Sequence, residues 1–307
     1  MKNKDFLAIG AALGAAFFWS FSFVWFKIAL LAYNPLTIII FRLLISAILV
    51  TAIALLTKRL QKPSRHDLRL FFLMAVFEPF LYFLGESYGL KYVSPTVAAV
   101  IVSTIPLLAP IGAWYFYKEK VSWMNITGLL FSFIGVGFVI LNGAFQIDAE
   151  PLGVGLEFIA VFAAIGYTIV LKNLASRYNT LTIIAYQNIL GILYFLPIWL
   201  FVDFQTFIQT PFHMQAFRAI ILLAVFSSTL AFVFFTQSIR KIGITRTNIF
   251  INLIPVFVAL FSFIILNEVL GIQKVIGIII VVIGLFLAQI KRKEKSMEEK
   301  NVVVHRK

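Results

Sequence analysis

Long apolar runs, each closed by a short polar stretch, dominate the chain. A helix needs roughly 20 such residues to cross the hydrocarbon of a bilayer. The runs predict ten spans, at about 6–26, 35–57, 69–90, 95–117, 123–142, 152–171, 181–202, 217–238, 245–266 and 272–290. They are continuous, unlike the ten-residue alternation of an outer-membrane barrel, so each is read as a helix. The connections are short, the longest being about 203–216, and none could hold a soluble domain. The tail 291–307 is charged and reads as a frayed or disordered extension.

Composition agrees. Hydrophobic residues make up 61% of the 307 and charged residues 13%, against roughly 45–50% and about 25% for soluble domains. A soluble fold of this length could not hide so much apolar surface, so lipid is the main solvent and a partner of the chain. The chain has no cysteine, which excludes a disulfide scaffold, a thiolate metal site and a cysteine nucleophile.

The net charge of +13 is explained by where the bases stand. With a cytoplasmic N-terminus, the inside segments carry Lys2 and Lys4; Lys58, Arg59, Lys62, Arg65 and Arg69; Lys118 and Lys120; Lys172 and Arg177; Arg240, Lys241 and Arg246; and the basic tail. The other side keeps only Lys27, Lys91, Arg218 and Lys274, and Arg42 lies within a span. Positive residues mark the cytoplasmic side. The expectation is a multi-pass protein of the cell membrane with both termini cytoplasmic. No basic domain is left over for nucleic acid.

The chain repeats itself. Residues 10–45 align on 155–190 at an offset of 145, where YNPLTII (Tyr33 to Ile39) meets YNTLTII (Tyr178 to Ile184). Further on the offset becomes 149: Arg69 meets Arg218, Pro106 meets Pro255, Glu119 meets Glu268, Gly128 meets Gly277 and Gly135 meets Gly284. Each copy holds five spans, and an odd number turns the second copy over. Residues 6–142 and 152–290 are thus expected to form two inverted five-helix repeats, followed by the cytoplasmic tail 291–307. Inverted helical repeats recur in secondary transporters, with substrate bound near the midplane at their interface.

Each half ends in a span with a proline, thirteen residues to a glutamate, then a glycine-containing last span. The stretches are KYVSPTVAAVIVSTIPLLAPIGAWYFYKEKVS with GLLFSFIGVGFVIL, and KIGITRTNIFINLIPVFVALFSFIILNEVL with GIIIVVIGLFLAQI. This pattern resembles the EamA-type branch of the drug/metabolite transporter superfamily. The resemblance implies a ten-helix basket with a central cavity lined mainly by spans 1, 3, 4, 6, 8 and 9, and with spans 5 and 10 at the periphery.

Few ionisable residues lie within spans, where each is a candidate for function. Glu78, Tyr82 and Glu86 share one face of span three at i, i+4 spacing. By depth Arg42 is expected close enough to Glu86 to pair, with Glu157 as a rival partner. That pair is either structural or a gate or clamp for a zwitterionic substrate. Glu78 precedes Pro79, which removes a backbone bond, and is a candidate for proton exchange coupled to substrate movement. Pro106 and Pro255 are symmetric kink candidates and could serve gating. Asn248 and Asn252 share a face of span nine, and Ser103 is the repeat mate of Asn252. These three bind either substrate or neighbouring helices. Trp19, Ser22 and Tyr167 lie well inside spans one and six and could form an aromatic, sparsely polar substrate wall. Ser227, Ser228 and Thr229 are weaker candidates of this kind. Gly128 and Gly135 read as a close-packing face, and Glu119 and Glu268 as structural helix ends.

The expectation is therefore a permease or exporter of small metabolites, amino acids or their analogues, working by alternating access with possible proton coupling. No nucleotide-binding stretch is present, and no cofactor or metal is expected. A non-transporting membrane protein on the same fold is the alternative, with an intramembrane enzyme behind it. The oligomeric state is left open.

Overall fold

A computed structural model describes residues 3–108, 123–141, 149–242, 247 and 250–289, without the side chains of 3–5, 125, 288 and 289. Asn248, Glu119 and the tail 291–307 lie outside the described residues. All regular elements described are helical: α1 (Asn3–Ala29), α2 (Pro35–Leu56), α3 (Arg65–Ala75), α4 (Tyr82–Tyr92), α5 (Pro95–Val102), α6 (Trp123–Ile140), α7 (Pro151–Arg177), α8 (Thr180–Val202), α9 (Phe204–Gln209), α10 (Met214–Leu222), α11 (Phe232–Ile242), α12 (Ile254–Leu266) and α13 (Ile272–Gln289). Among the described residues, six continuous stretches are long and apolar enough to cross a membrane: Phe6–Ala29, Pro35–Leu56, Arg65–Tyr92, Pro151–Arg177, Thr180–Val202 and Met214–Ile242. Shorter apolar helices occupy the other four predicted positions, Pro95–Leu108, Ile126–Ile140, Ile254–Leu266 and Ile272–Leu287.

Local chemistry sets the helix starts. Pro35, Pro95 and Pro151 each stand in a first turn, where the missing N–H costs nothing. The matched Asn34 and Asn179 both precede helices in extended backbone. Asn179 caps α8 by accepting from the Thr182 N–H at 3.0 Å. Asn34 instead donates to the Asp203 carboxylate at 3.2 Å.

Segments predicted on one side of the membrane meet one another. At the basic end, Asp67 accepts from Arg177 at 2.6 Å and Tyr178 at 2.8 Å, and Thr182 Oγ1 donates to the Arg59 carbonyl at 3.2 Å. At the opposite end, Asp203 accepts from the Thr37 N–H and hydroxyl, and Lys27 donates to the Leu90 carbonyl at 2.7 Å. Ser94 and Thr96 donate there to Glu268 at 2.6 and 2.9 Å. Asn267 makes this last contact possible. It adopts φ 54°, ψ 33°, the left-handed cap that asparagine tolerates, and folds Glu268 back so that its N–H bonds the Ser262 carbonyl.

Among the described residues, four spans are interrupted. Between α3 and α4 the chain makes a wide π-type turn, Val76–Leu81, with Glu78 off the helical path at φ −146°, ψ 120°. Proline removes a helical hydrogen bond, and Pro79 sits in this turn. A second wide turn, Leu223–Ala231, joins α10 to α11 with no proline in it. It covers the positions 149 residues beyond the first. Helix regularity also lapses at Ser103–Thr104 and at Asn252–Leu253, three residues before Pro106 and Pro255 respectively. The kinks expected of those prolines are thus helix breaks, again at matching positions.

Packing follows the same order. α1 packs on α11 and α12, α7 on α4 and α5, α2 on α8, and α6 on α13. Small residues let backbones approach in lipid. A Cβ on Gly135 would stand 2.7 Å from the Gly277 carbonyl, and one on Gly277 2.8 Å from the Gly135 carbonyl.

Candidate functional site

Between these helices lies a cavity of about 80 Å³, room for several waters. α1 contributes Trp19, Ser22 and Phe23, and α2 contributes Arg42. Glu78, Tyr82, Phe83 and Glu86 come from span three, and Val102 and Ile105 flank the break in span four. Ala164, Tyr167 and Thr168 belong to α7, Phe232 and Phe235 to α11, and Ile251 and Ile254 flank the break in span nine. The lining spans are those implied by the family resemblance, with Arg42 of span two added. α6 and α13 contribute nothing to it among the described residues.

The lining repeats itself. At offset 145, Trp19, Ser22 and Phe23 correspond to Ala164, Tyr167 and Thr168; at offset 149, Phe83, Glu86, Val102 and Ile105 correspond to Phe232, Phe235, Ile251 and Ile254. Every one of these lines the cavity. The lining residues whose mates do not are Arg42, Glu78 and Tyr82. The wall is therefore largely paired by position and mostly apolar, and its charged groups, Arg42, Glu78 and Glu86, all come from the first half of the chain.

Arg42 is buried, and its Nε donates to Ser228 Oγ at 2.9 Å. The guanidinium carbon lies 4.1 Å from the centre of the Phe83 ring, a cation–π geometry. Nη1 has no hydrogen-bond partner among the described residues. The closed ion pair expected with Glu86 is not formed: the described pairs within 4.0 Å are those of Asp67 with Arg177 and His66. Glu86 instead accepts from the Tyr82 hydroxyl at 3.0 Å. Glu78, the candidate for proton exchange, shares the cavity with Arg42. The rival Glu157 is fully buried where α7 crosses Gly89, and both its oxygens lack partners among the described residues.

Second-half polar groups support the wall. Tyr167 donates to Gln187, the repeat mate of Arg42, at 3.1 Å. Ser46 bonds Thr229 at 2.7 Å and accepts from Asn188 at 2.8 Å, next to the Arg42–Ser228 contact. Trp19 meets Phe232 and Phe235 edge-on, with centroids 5.2 and 4.9 Å away. The Ser22 hydroxyl is spent on the Trp19 carbonyl at 2.6 Å.

Other predicted residues lie outside the lining. Ser103 is buried and bonds back to the Val100 carbonyl at 2.6 Å. Asn252 is buried with no partner among the described residues for either amide atom. Pro106 and Pro255 are buried one residue past Ile105 and Ile254 and do not line the cavity. Phe83, Phe232, Phe235 and the paired aliphatics were not singled out by sequence reasoning, although the repeat offsets held the signal.

The EamA-like transporter family model matches residues 6–141 and again 151–289. The chain belongs to that family, and it is a multi-pass membrane transporter. It is 24% identical over 294 residues to an uncharacterized transporter of Archaeoglobus fulgidus, covering 95% of this chain and 99% of that protein. It is 26% identical over 255 residues to the uncharacterized transporter YetK of Bacillus subtilis, covering 82% and 77%. A crystal structure of another protein matches 96% of this chain and 98% of its own with TM-score 0.68 at 16% identity, a likeness of fold alone.

Proposed function

We propose that the chain is a secondary transporter of small metabolites, of the amino-acid class or its analogues, in the cell membrane with both termini cytoplasmic. It works by alternating access between two inverted five-helix halves, 6–142 and 152–290. The observation that carries this reading is the cavity whose charged groups all come from the first half of the chain. A zwitterion presents its carboxylate to Arg42 and its ammonium to Glu78 and Glu86, and lays its side chain on the aromatic wall around Trp19, Phe232 and Phe235. A single deep base suits one carboxylate, whereas a polyanion wants several.

The cavity is small beside the roughly 300–1,000 Å³ usual for ligand sites. Its helices must therefore separate to admit substrate, and the breaks in spans three, four, eight and nine supply joints. The repeat-paired lining supports two shapes of similar energy. Glu78, beside the Val76–Leu81 turn, is the candidate proton carrier.

The test is flux of a labelled amino-acid panel in proteoliposomes, with and without a pH gradient, for wild type and Glu78→Gln. Saturable flux that loses its pH dependence in the variant supports proton coupling through Glu78. Saturable flux indifferent to both makes the protein a uniporter with a structural Glu78. Absence of flux for every panel member overturns the substrate class.

A further inference from the structure

The basic end of the bundle holds a second cavity of about 690 Å³. It shares no lining residue with the central one. Leu7, Ala8 and Ala11 of α1 and Leu181 of α8 give it an apolar part, beside the polar Asn179, Thr180 and Gln237 and the bases Arg59, Arg240 and Lys241. The described lining contains no carboxylate.

Distant segments bring the bases together. α2 ends just before Lys58, whose φ of 52° turns the chain. The Arg59 carbonyl is then fastened by the Asn179 amide and the Thr182 hydroxyl. Arg240 and Lys241 form the last turn of α11. None of the three joins an ion pair with a described residue. Like charges converging on one cavity repel, and a bound anion relieves that cost. Guanidinium forks suit phosphate oxygens in particular. The apolar part adds a second requirement. Leu7 of this lining and its neighbour Phe6 are 75% and 71% exposed, where acyl chains would lie.

We propose that this cavity binds a phosphate group, the apolar part favouring that of an anionic phospholipid in the leaflet at the basic end. Basic pockets between helices recognise such headgroups by charge and shape.

Native mass spectrometry of the full-length protein in detergent tests this with phosphatidylglycerol, phosphatidylcholine and inorganic phosphate as probes. Wild type is expected to retain phosphatidylglycerol at least about tenfold better than phosphatidylcholine. The triple variant Arg59→Gln, Arg240→Gln, Lys241→Gln loses that preference, by about fivefold per base removed. The equally charged control Lys62→Gln, Arg65→Gln, Lys274→Gln keeps it, as does the charge-conserving set Arg59→Lys, Arg240→Lys, Lys241→Arg. Preference for phosphatidylglycerol identifies a lipid phosphate. Base-dependent binding of inorganic phosphate without lipid preference identifies a soluble one. Either outcome supports a phosphate site. Binding of neither probe, binding that survives the triple variant, or equal loss in the control overturns it.

Discussion

Arg42 donates to Ser228 on the neighbouring element, joining a buried cation of α2 to the wide turn between α10 and α11. The bond orients the guanidinium over Phe83 and ties the cavity's deep base to the second half of the chain. A buried cation without a closed ion pair costs stability, so its presence calls for a role beyond packing.

That cost gives a first prediction. Arg42→Met should leave the melting temperature unchanged or raise it, while flux falls below about a tenth of wild type. Arg42→Lys should also lose flux, because an ammonium cannot keep both the Nε bond and the ring contact. Thermal unfolding in detergent, run beside proteoliposome flux, checks both. A large fall in melting temperature for Arg42→Met would mark the residue as structural.

Ser228→Ala should behave differently. It strands a buried guanidinium N–H, at about 1–3 kcal/mol, so the melting temperature should drop. Substrate affinity should weaken by up to about tenfold, with the maximal rate less affected. Saturation curves for the variant separate the two effects.

Glu268 fastens the end opposite the basic one through Ser94 and Thr96. Hydrogen bonds to a charged group contribute about 1.5–3 kcal/mol each. Glu268→Ala should therefore open that end more often. The chain has no cysteine, so Ile105→Cys, in the cavity wall, can be labelled without removing native thiols. An impermeant maleimide added at the Glu268 end should react at least about tenfold faster in the Glu268→Ala background. An unchanged rate would sink the latch.

Gly277→Val tests the remote pair α6 and α13. Its new side chain would press on the Gly135 backbone and on Val139, and such overpacking costs about 1–3 kcal/mol. The melting temperature should fall, while flux per folded molecule stays near wild type. Both are read on the same purified sample.

The apolar runs carried most of the architecture, because a helix in lipid must satisfy its own backbone and so declares itself by length. Pro79, Pro106 and Pro255 declared their breaks for the same reason, since a missing N–H is a local fact. The turn at Leu223–Ala231 has no proline and could be found only through its mate around Glu78. The Arg42–Ser228 bond joins residues 186 apart in sequence. Depth alone had suggested Glu86, because depth fixes one coordinate and leaves the rotation of two helices free. Trp19, Ser22 and Tyr167 were legible by lying well inside their spans, and Tyr82 by sharing a face of span three with Glu78 and Glu86. Phe232 and Phe235 were hidden among 34 phenylalanines.

Arg42, Glu78 and Glu86 all belong to the first half, and their mates in the second are Gln187, Ser227 and Phe235. If the halves exchange shapes as proposed, they do not exchange these charges. Carrying one elementary charge across 100 mV involves about 2.3 kcal/mol, so a shift through a tenth of the field already involves about 0.2 kcal/mol. In the proposed alternating-access cycle, membrane voltage would therefore act as a directional force, and resting potential would bias which of the two states is occupied.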